Sequence, residues 1–405
     1  MAPGRQGPGR QGPGHQGPGH QGRRTATCRV RPALAVPIAL VALLGAGCAG
    51  GDGNVGRAEK YRKVIEDPSP RARDVVRAAG APAAVARAGD GSVLLTYAAQ
   101  NVEDDEGPAA FAWRLFSPDG KKVAERAEHT RADAATRRFV GTADGFVAAP
   151  RGESAEGAYF LDARGTRHSV RTGDKPLGAR RGDVLVSALE PTLVYRPSSR
   201  TLAPVAGLSD EALELAVDSR GVVWAAEQRL TASRDSVVSV RDGHTRRHTL
   251  PERTSVPVVA ADGGTAVFAL ARHGRGAGEA GRVDGLLISG DDGKSWRTLG
   301  SSRDLPLDRL KKDPAMASLG VLADGRVLAG QDGGPYWLAD EGRNRSFHEV
   351  DGPVAFTSLT ARARTLYGIA DSATPSYGRV KGEGLWISRD GGRTWSRFPG
   401  DSGTD

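Results

Sequence analysis

From about Ala83 onward the chain reads as short apolar runs punctuated by tight polar turns. Residues 85–95 set the pattern: an apolar run, an Asp-Gly turn, then a second apolar run. Similar units centre near residues 90, 144, 183, 220, 263, 324 and 363, with fainter forms between 139 and 224. Runs of this length bounded by Gly and Asp are strand and hairpin signals. Most units are followed by a second hairpin, as in Trp113–Val123, Tyr159–Thr166, Val237–His244 and Trp337–Gly342. Ahead of them, residues 57–67 and 70–79 fit two short helices bounded by Pro68 and Gly80, and residues 49–56 read as linker.

The units recur about every 45 residues, the length of one four-stranded propeller blade. The pattern therefore predicts an all-β chain, a β-propeller over residues 83–400 with seven four-stranded blades, six or eight being the alternatives. Two second hairpins carry a sharper motif: Ser289-Gly-Asp-Asp-Gly-Lys-Ser-Trp296 and Ser388-Arg-Asp-Gly-Gly-Arg-Thr-Trp395, each after a short apolar run. They fall about two periods apart, which places them in blades five and seven. The motif resembles the Asp-box (BNR) repeat of the sialidase-like superfamily, shared by sialidases, some endoglucanases, sortilin-type receptors and photosystem assembly factors. Each residue has a local task. Asp291 and Asp390 accept turn N–H groups, Ser289 and Ser388 complete the network, Gly293 and Gly392 permit positive φ, and Trp296 and Trp395 cover the hairpin. One such loop lacks the six or more oxygen ligands of a Ca²⁺ site, so the motif predicts architecture and no metal.

Residues 1–22 repeat Gly-Pro-Gly-(Arg/His)-Gln, a composition that cannot bury a core. They form a leader or an over-extended gene start. Residues 23–47 fit a signal peptide: a basic stretch, an apolar run from Ala33 to Leu44, then small residues before Cys48. The last feature resembles a bacterial lipobox, departing from it in having Gly45 where Leu is usual. The resemblance implies that Cys48 carries a diacylglyceryl (and palmitate) anchor and becomes residue one. Residues 48–82 are then a tether and short helical segment, and the chain is expected on the extracytoplasmic face of the cell membrane. Only Cys28 and Cys48 are present, so the mature domain has no thiol for a disulfide or a metal.

The formal net charge of +8 invites a nucleic-acid partner, but six arginines and no acid lie within residues 1–47. Beyond them cations and acids nearly balance, and no basic patch interleaved with aromatics appears, which argues against nucleic acid. Catalytic candidates are sparse. The sialidase resemblance implies an arginine triad, a Tyr–Glu pair and an acid/base Asp. The nearest match to its Arg-Ile-Pro signature, Arg196-Pro197, lacks the Ile. Tyr97, Tyr159 and Tyr367 lie in apolar runs and read as packing residues. His244 and His248 are spaced for a metal only on a helix, whereas this segment reads as a solvated turn entering a strand. Residues 273–281 read as a long loop. No nucleophile elbow, phosphate loop or zinc signature is present. These features predict a lipid-anchored monomeric binding or assembly module for a protein or glycan, without a cofactor. A divergent glycoside hydrolase of exo-sialidase type is the alternative, and a photosystem-type assembly factor a weaker one.

Overall fold

The structure, a computed structural model, describes residues 52–100, 107–131, 138–149, 157–187, 192–209, 211–228, 234–272, 281–310, 317–341, 344–371 and 382–399. The leader, the signal segment and Cys48 lie outside them. Two helices open the described chain, α1 (Asp52–Glu66) and α2 (Ala72–Ala79). In α2, Ala72, Val75, Val76 and Ala79 recur at helical spacing and form one buried stripe. Gly80, at φ 78, ends the helix by donating its N–H to Val76 O. Helix α1 begins at Asp52, so the expected linker over residues 49–56 is shorter than its composition indicates.

Seven sheets follow, each a blade drawn from one contiguous stretch of chain. Blade 1 comprises β1 (Ala84–Arg87), β2 (Val93–Gln100), β3 (Pro108–Phe116) and β4 (Lys122–Arg131). Blade 2 comprises β5 (Arg138–Gly141), β6 (Gly145–Ala149), β7 (Tyr159–Asp162) and β8 (Arg167–Ser169). Blade 3 comprises β9 (Arg171–Thr172), β10 (Val184–Ser187), β11 (Leu193–Arg196) and β12 (Thr201–Pro204). Blade 4 comprises β13 (Ala212–Val217), β14 (Val223–Glu227), β15 (Ser236–Arg241) and β16 (His244–Thr249). Blade 5 has five strands, β17 (Thr254–Ser255), β18 (Val259–Asp262), β19 (Thr265–Arg272), β20 (Arg282–Ser289) and β21 (Arg297–Gly300). Blade 6 comprises β22 (Ala317–Val321), β23 (Val327–Gln331), β24 (Tyr336–Ala339) and β25 (Phe347–Glu349). Blade 7 comprises β26 (Ser358–Arg362), β27 (Thr365–Ala370), β28 (Gly384–Ser388) and β29 (Ser396–Arg397).

The inner strands of successive blades pack on one another (β1 on β5, β13 on β18, β18 on β22, β22 on β26) and form the inner wall of the ring. Middle strands such as β14 and β19 are apolar and buried, as strands covered on both faces must be. Outer strands such as β16 are exposed and polar. The antiparallel order puts the first and third turns of a blade at one end of the ring and the second turn at the other.

Blade 3 departs from the expected hairpin at residue 183. No strand before that turn pairs with β10. Instead β10 is itself the inner strand, contacting β5 and β13, and the outer position is filled by β9, parallel to β12. A Cβ on Gly221, just after β13, would collide with Arg180, just before β10. So β10 starts where β13 ends and runs against it.

Among the described residues ring closure uses no strand exchange, because β1 and β29 belong to different sheets. It rests on one apolar cluster joining Val93, Leu95 and Tyr97 of β2 to Tyr367, Ile369, Leu385 and Ile387 of blade 7. Val75 and Val76 of α2 enter the same cluster. Each is fully buried, contributing roughly 1.5–3 kcal/mol.

Candidate functional site

The two segments that resemble Asp-boxes occupy the turns β20–β21 and β28–β29, in blades 5 and 7, and keep that label below. In the first, Ser289 Oγ accepts the Gly293 N–H at 2.9 Å and donates to Asp291 Oδ1 at 3.1 Å. Asp291 also accepts the Ser295 N–H at 2.8 Å and its hydroxyl at 2.6 Å. The second repeats this bond for bond. Ser388 Oγ takes the Gly392 N–H at 2.7 Å and donates to Asp390 at 2.8 Å, while Thr394 donates its N–H at 2.9 Å and its hydroxyl at 2.6 Å. Each carboxylate thus takes hydroxyls as well as turn N–H groups, with the serine oxygen serving the glycine N–H. Gly293 and Gly392 lie at φ 76 and 87, where a Cβ is strained.

The charge follows from these bonds. The Thr394 hydroxyl, then its N–H, holds the Asp390 carboxyl at about 2. Burial works to raise Asp291, but the Ser295 and Ser289 bonds outweigh it and keep the carboxyl below its usual range. Both groups are committed to the turn.

Three arginines do converge, but on the protein's own carboxylate. Arg220 and Arg241, the latter at 3.1 Å, donate to the Asp292 carboxylate, and Arg246 donates to its carbonyl at 3.0 Å. All three belong to blade 4, so they fasten the first Asp-box turn to the preceding blade. Tyr97, Tyr159 and Tyr367 are buried in the core. His244 and His248 both lie on the outer strand β16, where the sequence suggested a turn entering a strand. There His248 stacks on Trp296 with ring centroids 5.4 Å apart. Among the described residues no cluster of three or more His, Cys, Asp or Glu could hold a metal.

Two hollows open between blades. An apolar cleft of about 460 Å³ lies between blades 3 and 4, lined by Leu177, Ala179, Val223 and Val240 beside Arg180 and Arg196. Arg196 is held there by Asp183 at 2.7 Å and the Gly178 carbonyl at 2.6 Å. A polar hollow of about 280 Å³ separates blade 6 from the second Asp-box, lined by Arg326, Asp340, His348, Asp390 and Arg393. His348 bonds Asp340 at 2.7 Å there.

The connections over residues 101–106, 150–156, 229–233, 273–280 and 372–381 lie outside the described residues. These include the long loop expected from residue 273. The β23–β24 connection is described. In it Tyr336 Oη donates to Asp332 at 3.2 Å and accepts the Leu359 N–H at 3.1 Å. Burial pushes the Asp332 carboxyl up, opposed by the Tyr336 bond. On the inner wall, Glu214 of β13 is half-buried, and among the described residues its carboxylate has no hydrogen-bond or ion-pair partner. Burial alone pushes it up to about 7. Nothing in the sequence flagged Glu214, because its perturbation comes from the neighbouring inner strands and not from a local motif.

No family model matches the chain, and no curated protein matches it. Several solved structures are similar in outline. The β-propeller domain of the Trilobed protease from Pyrococcus furiosus shares 10% identity over 78% of this chain and 95% of that one, with a TM-score of 0.46. Kuenenia stuttgartiensis hydrazine synthase shares 11% over 75% and 95%, also at 0.46. YCF48 bound to D1 peptide shares 10% over 79% and 81%, at 0.31. Identities this low concern fold alone. The strand order itself identifies the chain as a seven-bladed β-propeller.

Proposed function

We propose that this chain is a lipid-anchored, extracytoplasmic β-propeller that acts as a monomeric binding or assembly module for a protein or glycan partner. The observation that carries the reading is how the motif residues are used. Both Asp-box carboxylates and the converging arginines are consumed in holding turns and blades together, leaving a rigid ring whose end connections are free to vary. The lipobox-like Cys48 supplies the anchor and the location. Two measurements test this. Replacing Cys48 by Ala should move the protein from the membrane fraction to the soluble one, and a pull-down from solubilised membranes with the mature chain should recover a saturable partner. Retention of the Ala variant in detergent-free pellets sinks the anchor, and a pull-down that recovers no saturable partner sinks the binding role.

One observation favours a second reading, a glycoside hydrolase. Glu214 is a carboxyl raised towards neutrality on the inner wall, the state a general acid requires. Release of a fluorescent aglycone from a panel of glycosides, lost in Glu214→Gln, supports hydrolysis. Activity untouched by that substitution, or no release from any glycoside, removes this reading.

A further inference from the structure

We infer that the helix pair α1–α2, with the end of blades 1 and 7 beneath it, is the membrane-apposed surface of this protein and meets anionic phospholipid headgroups. The inference rests on the anchor reading above and adds orientation and lipid chemistry to it.

Three contacts place the helices at the second-turn end of the ring. Arg57 of α1 pairs with Asp371, which directly follows β27, at 3.0 Å. Gly80, just past α2, lies against Glu383, which directly precedes β28. Asp67, just past α1, bonds His129 near the end of β4, where that strand pairs with the start of β3. Turns of the Asp-box kind lie at the opposite end.

The pair is also fixed. Val64 of α1 and Val75, Val76 and Ala79 of α2 are buried in the cluster that closes the ring, so the helices cannot swing away without exposing it. Helix α1 begins at Asp52, four positions after Cys48. Even fully extended, that stretch spans only about 14 Å. An acyl chain on Cys48 therefore holds this end close to the bilayer and turns the Asp-box end outward.

The exposed side of the pair suits such a surface. Lys60, Arg62, Lys63, Arg71, Arg73 and Arg77 all face solvent. Lys63 pairs with Glu59 and Arg73 with Asp74, whereas Lys60, Arg71 and Arg77 make no ion pair among the described residues. Cations beside a lipid anchor add to its hold on an anionic membrane, the usual second signal for stable attachment.

The test uses the acylated mature product, beginning at Cys48, in vesicles of phosphatidylglycerol and phosphatidylethanolamine. Single cysteines at Ser69→Cys, Gln228→Cys and Lys121→Cys carry a fluorophore, and headgroup spin labels quench it. Quenching should be strongest at Ser69, beside the helices, and weakest at Lys121, in the β3–β4 turn at the Asp-box end. Gln228, at the second-turn end across the ring, should fall between them. Quenching at Lys121 equal to or above that at Ser69 overturns the orientation while leaving the anchor intact. Failure of the product to partition into vesicles overturns both. Combining Lys60→Ser, Arg71→Ser and Arg77→Ser should weaken partitioning about a hundredfold on anionic vesicles and leave it unchanged on phosphatidylcholine. An equal effect on both, or none, overturns the anionic-lipid assignment.

Discussion

The two Asp-box turns share their interior and differ in their surroundings. Within each, the same serine, aspartate, glycine and hydroxyl residue make the same four hydrogen bonds. Outside, the first turn presents Asp292, at φ 60, to three arginines of blade 4, and Trp296 packs on Trp224 and Phe268. The second turn has Gly391 at the matching position, whose carbonyl faces His348 of blade 6 at 3.4 Å. Its Trp395 packs on Phe356 and donates to the Asp351 carbonyl at 3.0 Å. Each of these two turns thus has a self-contained core and an outer part of its own that fastens neighbouring blades.

The largest test of that division is the tryptophan. Trp296→Ala removes contacts to three rings, for an expected loss of roughly 2–4 kcal/mol, and Trp395→Ala should cost about half as much. Urea unfolding of both variants reads the difference, and equal losses would erase the distinction. Next is Asp292→Ala. It leaves Arg220 and Arg241 without their shared carboxylate, and a loss of about 1–3 kcal/mol is expected. A neutral result would mean that the three-arginine cluster fastens nothing.

A smaller effect tests the shared interior. Ser289→Ala and Ser388→Ala each orphan a glycine N–H, and both should cost about 1 kcal/mol. Clearly unequal costs would show that the two cores are not equivalent. The smallest effect is acid sensitivity. The folded Asp390 carboxyl titrates near 2, below its ordinary value of 3.8, so the stability it contributes is present above 3.8 and lost as pH falls towards 2. Asp390→Asn should flatten the acid limb of a thermal-unfolding profile across that window. An unchanged limb contradicts the hydrogen-bond assignment.

These contrasts also mark how far the sequence could be read. Bonds inside an Asp-box span at most four positions, so they depend only on residues that are neighbours in sequence. The same holds for the internal bonds of the Asp-Gly turns near 90 and 324 and of the Arg-Gly turn near 220, and for the stripe of α2. The repeat length then implied blades, because a hairpin with one apolar face must stack on another to bury it. Blade 3 resisted, since strand pairing there was settled by which edge was free: β9 took the outer place beside β12, and β10 the inner one.

What the sequence determined by itself, then, was the local chemistry of turns and the repeating ring. Tertiary structure alone decided which distant partners each turn meets. Arg220 and Asp292 are 72 positions apart, yet form one ion pair. It also decided that Glu214 is half-buried on the inner wall, and that α2 closes the ring between blades 1 and 7. The physical reason is range: a hydrogen bond within a turn needs only its own segment, whereas desolvation, ion pairing across blades and ring closure depend on surfaces that exist only after folding.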